Sequence, residues 1–223
     1  MAVTDIAILK IKEMIISGEL GPGDRLPPEK ELSEALGLSR SSLRESVKAL
    51  EVMRVLDVRR GDGTYVTSLR SDLLLDAMSF VVEMHRDDSI LEILAVRRIL
   101  EPAAAGLAAA SIDEVGIAEL QRSLDSLGPE ASVEELVAHD LEFHQLIAGV
   151  TGNSYLNSIM QSLGGSTARA RVWRGLAEEG AVQRTIEEHR AIAEALRDRD
   201  GVLATALMTV HVSGVEHWLR QVR

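Results

Sequence analysis

Residues 26–44 constrain the fold of this chain more than any other stretch, because they predict two short helices joined by a tight turn. Pro28 suits the first turn of a helix, where its missing N–H would be unpaired, and apolar residues then recur at helical spacing until Gly37. Ser39 is a good N-cap for the second helix. Its expected buried stripe consists of Leu43, Val47, Leu50 and Met53. The pattern predicts a helix-turn-helix.

The expected exposed face of the second helix has side chains of the types that contact DNA. A recognition helix enters the major groove by its N-terminal residues, and Arg and Ser there can reach base edges and phosphates. On the residues alone, a solvated helical hairpin remains the alternative. The expected DNA contacts around the start of this helix are Ser39, Arg40, Ser41, Ser42 and Arg44.

Residues 55–67 predict a β-hairpin directly after the helix-turn-helix. Two short β-branched runs flank Gly61-Asp62-Gly63, which is a turn sequence. A hairpin in this place is a wing, and Arg59 and Arg60 lie at its tip, where a minor groove or a phosphate can be met. With a helix upstream that ends at Gly18, residues 1–70 are expected to form a winged helix-turn-helix domain.

Residues 1–70 resemble the winged helix of the GntR family. The matching motifs are Ile15-Ile16-Ser17-Gly18-Glu19-Leu20, Pro22 to Glu29, Leu38-Ser39-Arg40, Leu43-Arg44-Glu45 and Gly61-Asp62-Gly63-Thr64-Tyr65-Val66. The resemblance implies a transcriptional regulator that binds double-stranded DNA. It adds two residues to the expected contacts: Lys30, where the family usually has Arg, and Gly61 in the wing.

The charge of the chain lies in its C-terminal part. The net charge is −11, yet residues 1–70 hold 11 basic and 11 acidic residues. Because DNA affinity depends on local clusters of Arg and Lys, a neutral winged helix on an acidic body is compatible with DNA binding. The absence of Cys excludes disulfides and thiolate metal ligands. Without a signal peptide or a membrane-spanning apolar run, we expect a soluble cytoplasmic protein that makes no membrane contact.

Residues 71–223 show helical periodicity to the end of the chain. Seven helices are predicted, at about 72–83, 89–110, 112–126, 132–150, 154–175, 179–198 and 202–220. They predict a second domain, an all-α antiparallel bundle. The fold class expected for the whole chain is therefore mainly α, with an N-terminal winged helix-turn-helix.

Four residues of this second domain have the chemistry of a metal site. Asp140 and His144 lie four residues apart on one predicted helix and so share a face, while His189 and His211 lie on two later helices. Three His and one Asp suit Zn²⁺, Ni²⁺ or another divalent ion and leave positions open for a ligand oxygen. The alternative is a surface Asp/His pair with structural histidines. His85, His139 and His217 are expected to be structural or solvated.

The second domain resembles the all-helical FCD effector domain of the FadR-type GntR regulators. The matching motifs are Val96-Arg97-Arg98-Ile99-Leu100-Glu101-Pro102, Asp140-Leu141-Glu142-Phe143-His144, Gly152-Asn153-Ser154-Tyr155-Leu156, Glu188-His189-Arg190-Ala191-Ile192 and His211. The resemblance implies that Asp140, His144, His189 and His211 are metal ligands. It also implies that Arg97 lies in the effector cavity, although an internal salt bridge to an acidic neighbour would equally offset the cost of burying this guanidinium.

Taken together, the sequence predicts a repressor that binds a palindromic operator as a homodimer. A divalent metal, zinc in the first place, and a small organic acid held by Arg97 would control its operator affinity. Two alternatives remain at this stage: a metal-dependent enzyme fused to a DNA-binding module, and a direct metal sensor.

Overall fold

The computed structural model describes residues 3–70, 90–128 and 131–222. The chain divides into two compact units, Met1–Leu74 and Leu75–Arg223. The first contains three helices, α1 (Val3–Ile16), α2 (Glu29–Leu36) and α3 (Arg40–Val52), and two strands, β1 (Leu56–Arg59) and β2 (Gly63–Val66). The predicted fold class, a mainly α chain with an N-terminal winged helix-turn-helix and a C-terminal helical unit, is confirmed.

The turn between α2 and α3 has the geometry that its residues predict. Gly37 adopts a left-handed conformation at φ 65°, which glycine tolerates without a steric penalty. Ser39 caps α3, and its Oγ accepts a hydrogen bond from the Ser42 N–H at 3.1 Å. Pro28 is the N-cap residue of α2 and so precedes the first turn in which it was expected.

One residue of the predicted α3 stripe is misplaced. Leu43 and Leu50 are buried in the core of this unit, and Val47 packs against it. Met53, however, is 61% exposed. The prediction for Met53 is wrong because α3 ends at Val52 and the chain turns away through Arg54, whose φ is positive at 58°.

The wing is a two-stranded antiparallel hairpin that runs from the pair Leu56–Val66 to the pair Arg59–Gly63. Leu56 and Val66 point into the same core as Leu43 and Leu50. The α3 helix and the wing are therefore fixed to each other by shared apolar packing.

The second unit contains α4 (Ile90–Ser111), α5 (Glu114–Ser126), α6 (Val133–Val150), α7 (Ser154–Ala177), α8 (Ala181–Arg197) and α9 (Gly201–Val222). These are six of the seven predicted helices, which are confirmed with ends displaced by no more than two residues. The predicted helix 72–83 and His85 lie outside the described residues. Within the described ranges, no helix is long and apolar enough to cross a bilayer.

Helices α4 and α9 pack closely against each other in the helical unit. Ala105, Ala108 and Ala109 of α4 and Ala204 and Met208 of α9 belong to one buried core. A methyl group added at Gly106 would lie 2.6 Å from Thr205 Oγ1. Small residues thus bring the two helices close, and the functional side chains lie on the neighbouring faces of α4, α6, α7, α8 and α9.

Candidate metal centre and DNA-binding surface

The four predicted metal ligands meet inside the helical unit. Asp140 and His144 project from α6, His189 from α8 and His211 from α9, and all four side chains are buried. Each offers one donor atom, and these atoms lie within 4.8 Å of one another. The alternative of an exposed Asp/His pair with scattered histidines does not describe this arrangement.

The spacing of the donor atoms fits one small cation. The His211 Nε2 lies 3.0 Å from His144 Nε2 and 3.3 Å from His189 Nε2. Asp140 Oδ1 lies 3.2 to 3.5 Å from the same three nitrogens. A cation about 2.0–2.1 Å from each donor, the usual distance to a His nitrogen, requires tetrahedral donors roughly 3.3–3.4 Å apart. The four side chains are thus already spaced for coordination.

Two outer carboxylates orient the imidazole rings. His211 Nδ1 lies 2.8 Å from Glu188 Oε2, and His144 Nδ1 lies 2.8 Å from Glu101 Oε2. A carboxylate accepts but does not donate, so each Nδ1 carries the proton and each Nε2 points a lone pair inward. Lone pairs at this separation repel each other, and a shared cation removes the repulsion.

Burial keeps two of the converging imidazoles, those of His189 and His211, neutral. Burial lowers the pKa of His211 to about 4, although Glu188 opposes this shift. Burial also holds the pKa of His189 well below its usual value, and the neighbouring His211 and His144 lower it further. For Glu101, burial favours the protonated form, but Arg97 and His144 outweigh it and hold the pKa of the carboxyl far below its usual range. Neutral imidazole and ionised carboxylate are the forms that bind metal.

Arg97 forms an internal ion pair. Its Nε and Nη2 both donate to Glu101, the residue one helical turn later, and Nη1 donates to Thr167 Oγ1 at 2.8 Å. This is the salt bridge that the sequence left open as an alternative. Arg97 also lines a cavity together with His144, and its expected contact with an effector stays a prediction.

Within the described part of the chain, two cavities that border the cluster are both lined by Arg171 of α7. The larger has a volume of about 230 Å³. Its walls are formed by Arg97, Glu101, Leu141, His144, Gln145, Met160, Gln161, Gly164, Gly165 and Arg171. The smaller, of about 30 Å³, borders Asp140 and His211. Arg171 also forms an ion pair with Asp140 Oδ2.

Sequence reasoning missed several residues of this site. Glu101 and Glu188 occur in the family motifs without an expected role, and the sequence predicts no role for Arg171 and Arg174, although both arginines are buried. The spacing of four residues from Arg97 to Glu101 was a detectable signal. His139 is buried against Phe143 and His189, and His217 is exposed beside Gln221.

The expected DNA-contact residues lie at the start of α2, at the start of α3 and at the tip of the wing. Lys30, Arg40 and Ser41 are exposed, and Ser39 places its hydroxyl 3.0 Å from Ser41 Oγ and 2.8 Å from Ser42 Oγ. Arg44 is exposed too, but its Nε donates to Glu29 Oε2 at 2.8 Å. The serine hydroxyls and Arg40 therefore form a polar surface on the first turn of α3.

The two predicted arginines of the wing tip are both exposed but differ in their contacts. Arg60 and Gly61 are exposed in the turn between the strands, where Gly61 has a left-handed φ of 77°. Arg59 instead lies over the Tyr65 ring, 4.2 Å from its centroid, and its Nε donates to Asp57 Oδ2 at 3.0 Å. The Arg59 guanidinium therefore already has partners within the wing.

Both units resemble known regulators. Residues 5–66 match the family described as bacterial regulatory proteins, gntR family, and residues 92–214 match the FCD domain. The HTH-type transcriptional regulator LutR of Bacillus subtilis (strain 168) is 32% identical over 209 residues, which cover 91% of this chain and 94% of LutR. The galactonate operon transcriptional repressor of Escherichia coli (strain K12) is 26% identical and covers 98% of this chain and 97% of its own.

A solved structure supports the same assignment. Streptococcus agalactiae GntR is 26% identical, with a TM-score of 0.68 over 97% of this chain and 99% of that chain. The FCD match alone spans more than half of the sequence. The chain therefore belongs to the GntR family of bacterial regulatory proteins and is a transcriptional regulator of the GntR/FCD type.

Proposed function

We propose that this regulator is a cytoplasmic repressor whose operator affinity is controlled by a small carboxylate bound next to a divalent metal. The observation that carries the proposal is the charge around the four converging donors. Arg97 and Arg171 pair with Glu101 and Asp140, His189 and His211 are neutral, and Glu188 adds one further carboxylate beside His211. A bound divalent ion would therefore leave a net positive charge in a buried place, which favours an anionic ligand.

The donor set supports the choice of metal. Three imidazole nitrogens and one carboxylate oxygen are ligands that Zn²⁺ and Ni²⁺ accept, whereas Ca²⁺ and Mg²⁺ prefer oxygen. When bound, such an ion would supply a Lewis-acidic position for an oxygen of the ligand. Asp140, His144, His189 and His211 would hold it, while Glu101 and Glu188 orient two of the rings.

The larger cavity supports a small acid as the effector. At about 230 Å³, it is below the roughly 300–1,000 Å³ of pockets for drug-sized ligands. The smaller cavity, at 30 Å³, has room for little more than a water molecule. Gln145 and Gln161 line the larger cavity, and their amides can bond to hydroxyl groups. We therefore expect a hydroxylated monocarboxylate, the chemical class of the galactonate in one relative's name.

The proposed control requires that the acid bind differently to two states of the protein. An effector shifts operator affinity only by its differential affinity for the DNA-competent state and the other state. We propose a homodimer on a palindromic operator, with Lys30, Ser39, Arg40, Ser41, Ser42, Arg44, Arg60 and Gly61 at the DNA. Relatives named as repressors support release of the operator as the response to the acid.

Two measurements test this function. Metal content of the purified protein and calorimetric titration with acetate, lactate, gluconate and citrate establish whether a metal-loaded chain binds an acid. Fluorescence anisotropy on an operator selected from random DNA then compares the metal-free, metal-loaded and acid-bound protein. We expect the acid to lower operator affinity only with metal present. An effect of metal without acid would favour a direct metal sensor, and acid binding without any change in operator affinity would contradict the proposal.

A further inference from the structure

The two buried arginines beside the metal cluster differ in the donors that they still have available. All three nitrogens of Arg97 are engaged, two by Glu101 and one by Thr167. Glu101 in turn lies 2.8 Å from His144 Nδ1. Arg97 is thus one end of a chain of contacts that orients a predicted metal ligand.

Arg171 has spare hydrogen-bonding capacity in a more central position. Its Nη2 donates to Gly164 O and to Thr167 Oγ1, and its Nη1 faces Asp140 Oδ2. The Nε has no partner and Nη1 has only the ion pair with Asp140, and the side chain is only 6% exposed. A buried donor without a partner is costly, and this one belongs to the arginine that borders both cavities.

The pairing of Arg171 with Asp140 would also weaken when a cation is bound. Asp140 Oδ1 is one of the four converging donor atoms, so a cation there would share the carboxylate charge that Arg171 now faces. The guanidinium would then have less compensating negative charge and an unused N–H. A carboxylate that reaches both groups would supply a ligand oxygen and negative charge to the cation, and it would accept a hydrogen bond from the guanidinium.

We propose that Arg171 is the side chain that binds the effector carboxylate, and that Arg97 is a positioning residue that acts through Glu101 on His144. The proposal rests on the function given above and assigns roles within that site. It departs from the expectation that Arg97 itself contacts the acid. It also explains why α7 places a guanidinium between two cavities where an apolar side chain would be less costly.

Cobalt-loaded protein separates the two roles, because the visible absorption of Co²⁺ responds both to the ligand set and to an added acid. The variants are Arg171→Gln, Arg171→Lys and Arg97→Gln, and the matched control is Arg169→Gln, an exposed arginine on the same helix. Each is titrated with Co²⁺ alone and then, at Co²⁺ saturation, with acetate, lactate, gluconate and citrate. Thermal unfolding followed by circular dichroism checks that each variant is folded.

We expect Arg171→Gln to bind one Co²⁺ and to lose about ten- to one-hundred-fold in affinity for the acid that wild type binds. Arg171→Lys should recover part of this loss, because it keeps the charge without the planar fork. Arg97→Gln should weaken Co²⁺ binding about ten- to one-hundred-fold, yet at saturation bind the acid within about threefold of wild type. The control should match wild type in both titrations.

Three results would overturn the assignment. If acid affinity falls in Arg97→Gln but not in Arg171→Gln, the two roles are reversed. If both Arg171 variants lose Co²⁺, Arg171 only positions the metal ligand Asp140 and does not bind the acid. If Arg171→Gln does not fold, wild-type acid affinity in a folded Arg171→Lys also refutes the proposal. A wild-type spectrum that none of the four acids changes would instead contradict the function on which the inference rests.

Discussion

At the metal centre, the partner of each ring determines which imidazole nitrogen faces inward. Glu188 and Glu101 face the Nδ1 atoms of His211 and His144, so the Nε2 lone pairs point at Asp140 Oδ1 and at each other. His189 has no hydrogen-bond partner on its Nδ1 and is fully buried. The position of the His189 ring therefore depends more on packing than the positions of the His144 and His211 rings do. A bound cation would accordingly do more to fix the His189 ring.

Replacing His189 or His211 by Ala should remove most of the bound metal, because each replacement deletes one of four donors. The rise in melting temperature on adding Zn²⁺ to the metal-free protein should then largely disappear, since only a ligand that binds the folded state stabilises it. Elemental analysis and calorimetry measure the two effects. His217→Ala, an exposed histidine on the same helix as His211, is the control and should bind metal at wild-type stoichiometry. One metal per chain in both test variants would refute the ligand set.

Among the DNA-contact candidates, Arg40 and Arg44 differ in their present partners. Arg40 is exposed at the start of α3, whereas Arg44 forms an ion pair with Glu29. An exposed pair of this kind contributes at most about 1 kcal/mol. Arg44 can exchange Glu29 for a base or a phosphate at small cost.

Arg40→Ala should weaken operator binding by about 1–3 kcal/mol if the guanidinium contacts a base edge through two donors. Arg44→Ala should also weaken it, by up to about 1 kcal/mol less than Arg40→Ala, because Arg44 must leave Glu29 to bind DNA. Fluorescence anisotropy at fixed salt measures both. Lys12→Ala removes an exposed charge from α1 and is expected to leave the affinity nearly unchanged. Wild-type affinity in both arginine variants would refute the role of α3 as recognition helix.

At the scale of elements, close packing of α4 on α9 supports the metal centre. Both helices carry side chains of the candidate site, since α4 provides Arg97 and Glu101 and α9 provides His211. Gly106 and Gly201 allow the backbones to approach, and a methyl group at Gly201 would lie 3.1 Å from Gly106 O. A larger distance between α4 and α9 would therefore move Glu101, the carboxylate that contacts His144, relative to His211.

Gly106→Ala should destabilise the helical unit by roughly 1–3 kcal/mol, as overpacking of a tight contact does. The added methyl group would lie 2.6 Å from the stiff side chain of Thr205. Gly149→Ala on α6 is the matched control, because nothing lies within 4 Å of the added methyl group there. That variant should gain up to about 1 kcal/mol from helix propensity. Urea unfolding measures both, and equal effects of the same sign would contradict the packing argument.

At the scale of the whole molecule, charge and protonation connect stability to pH. The net charge of −11 lies outside residues 1–70, so the winged helix is spared most of the like-charge repulsion from DNA. The imidazoles of His189 and His211 are neutral in the folded chain but titrate near pH 6.5 when it unfolds. The unfolded state therefore binds more protons than the folded state in the mildly acidic range.

The free energy of unfolding of the metal-free protein should fall as the pH is lowered from about 6.5 toward 4. The pKa of His211 is lowered to about 4 and that of His189 is lowered too, so folding excludes protons between those limits, and stability is lost as the pH falls. One buried group of this kind contributes up to about 1.4 kcal/mol per pH unit. Urea unfolding at pH 7, 6 and 5 in the presence of a chelator tests this. Stability that rises toward pH 5 would contradict the neutral state of the cluster.

The sequence by itself determined the elements and the ligand types, because those depend on local spacing. Periodicity located six helices to within two residues, and the turn residues located the wing. The spacing of Asp140 and His144 placed them on one helical face, His189 and His211 lie on two later predicted helices, and the family motifs imply the same four residues. The prediction that Met53 is buried was wrong because the end of a helix depends on how the following segment packs in the tertiary structure.

Only the tertiary structure decided which side chains meet. The contact of Arg97 with Thr167 joins residues 70 positions apart, and that of His144 with His211 joins residues 67 apart. Neither separation leaves a periodic trace in the sequence, because such contacts depend on how the helices pack. For the same reason, the position of Arg171 between two cavities, with its Nε unpaired, follows from the packing of α7 against its neighbours.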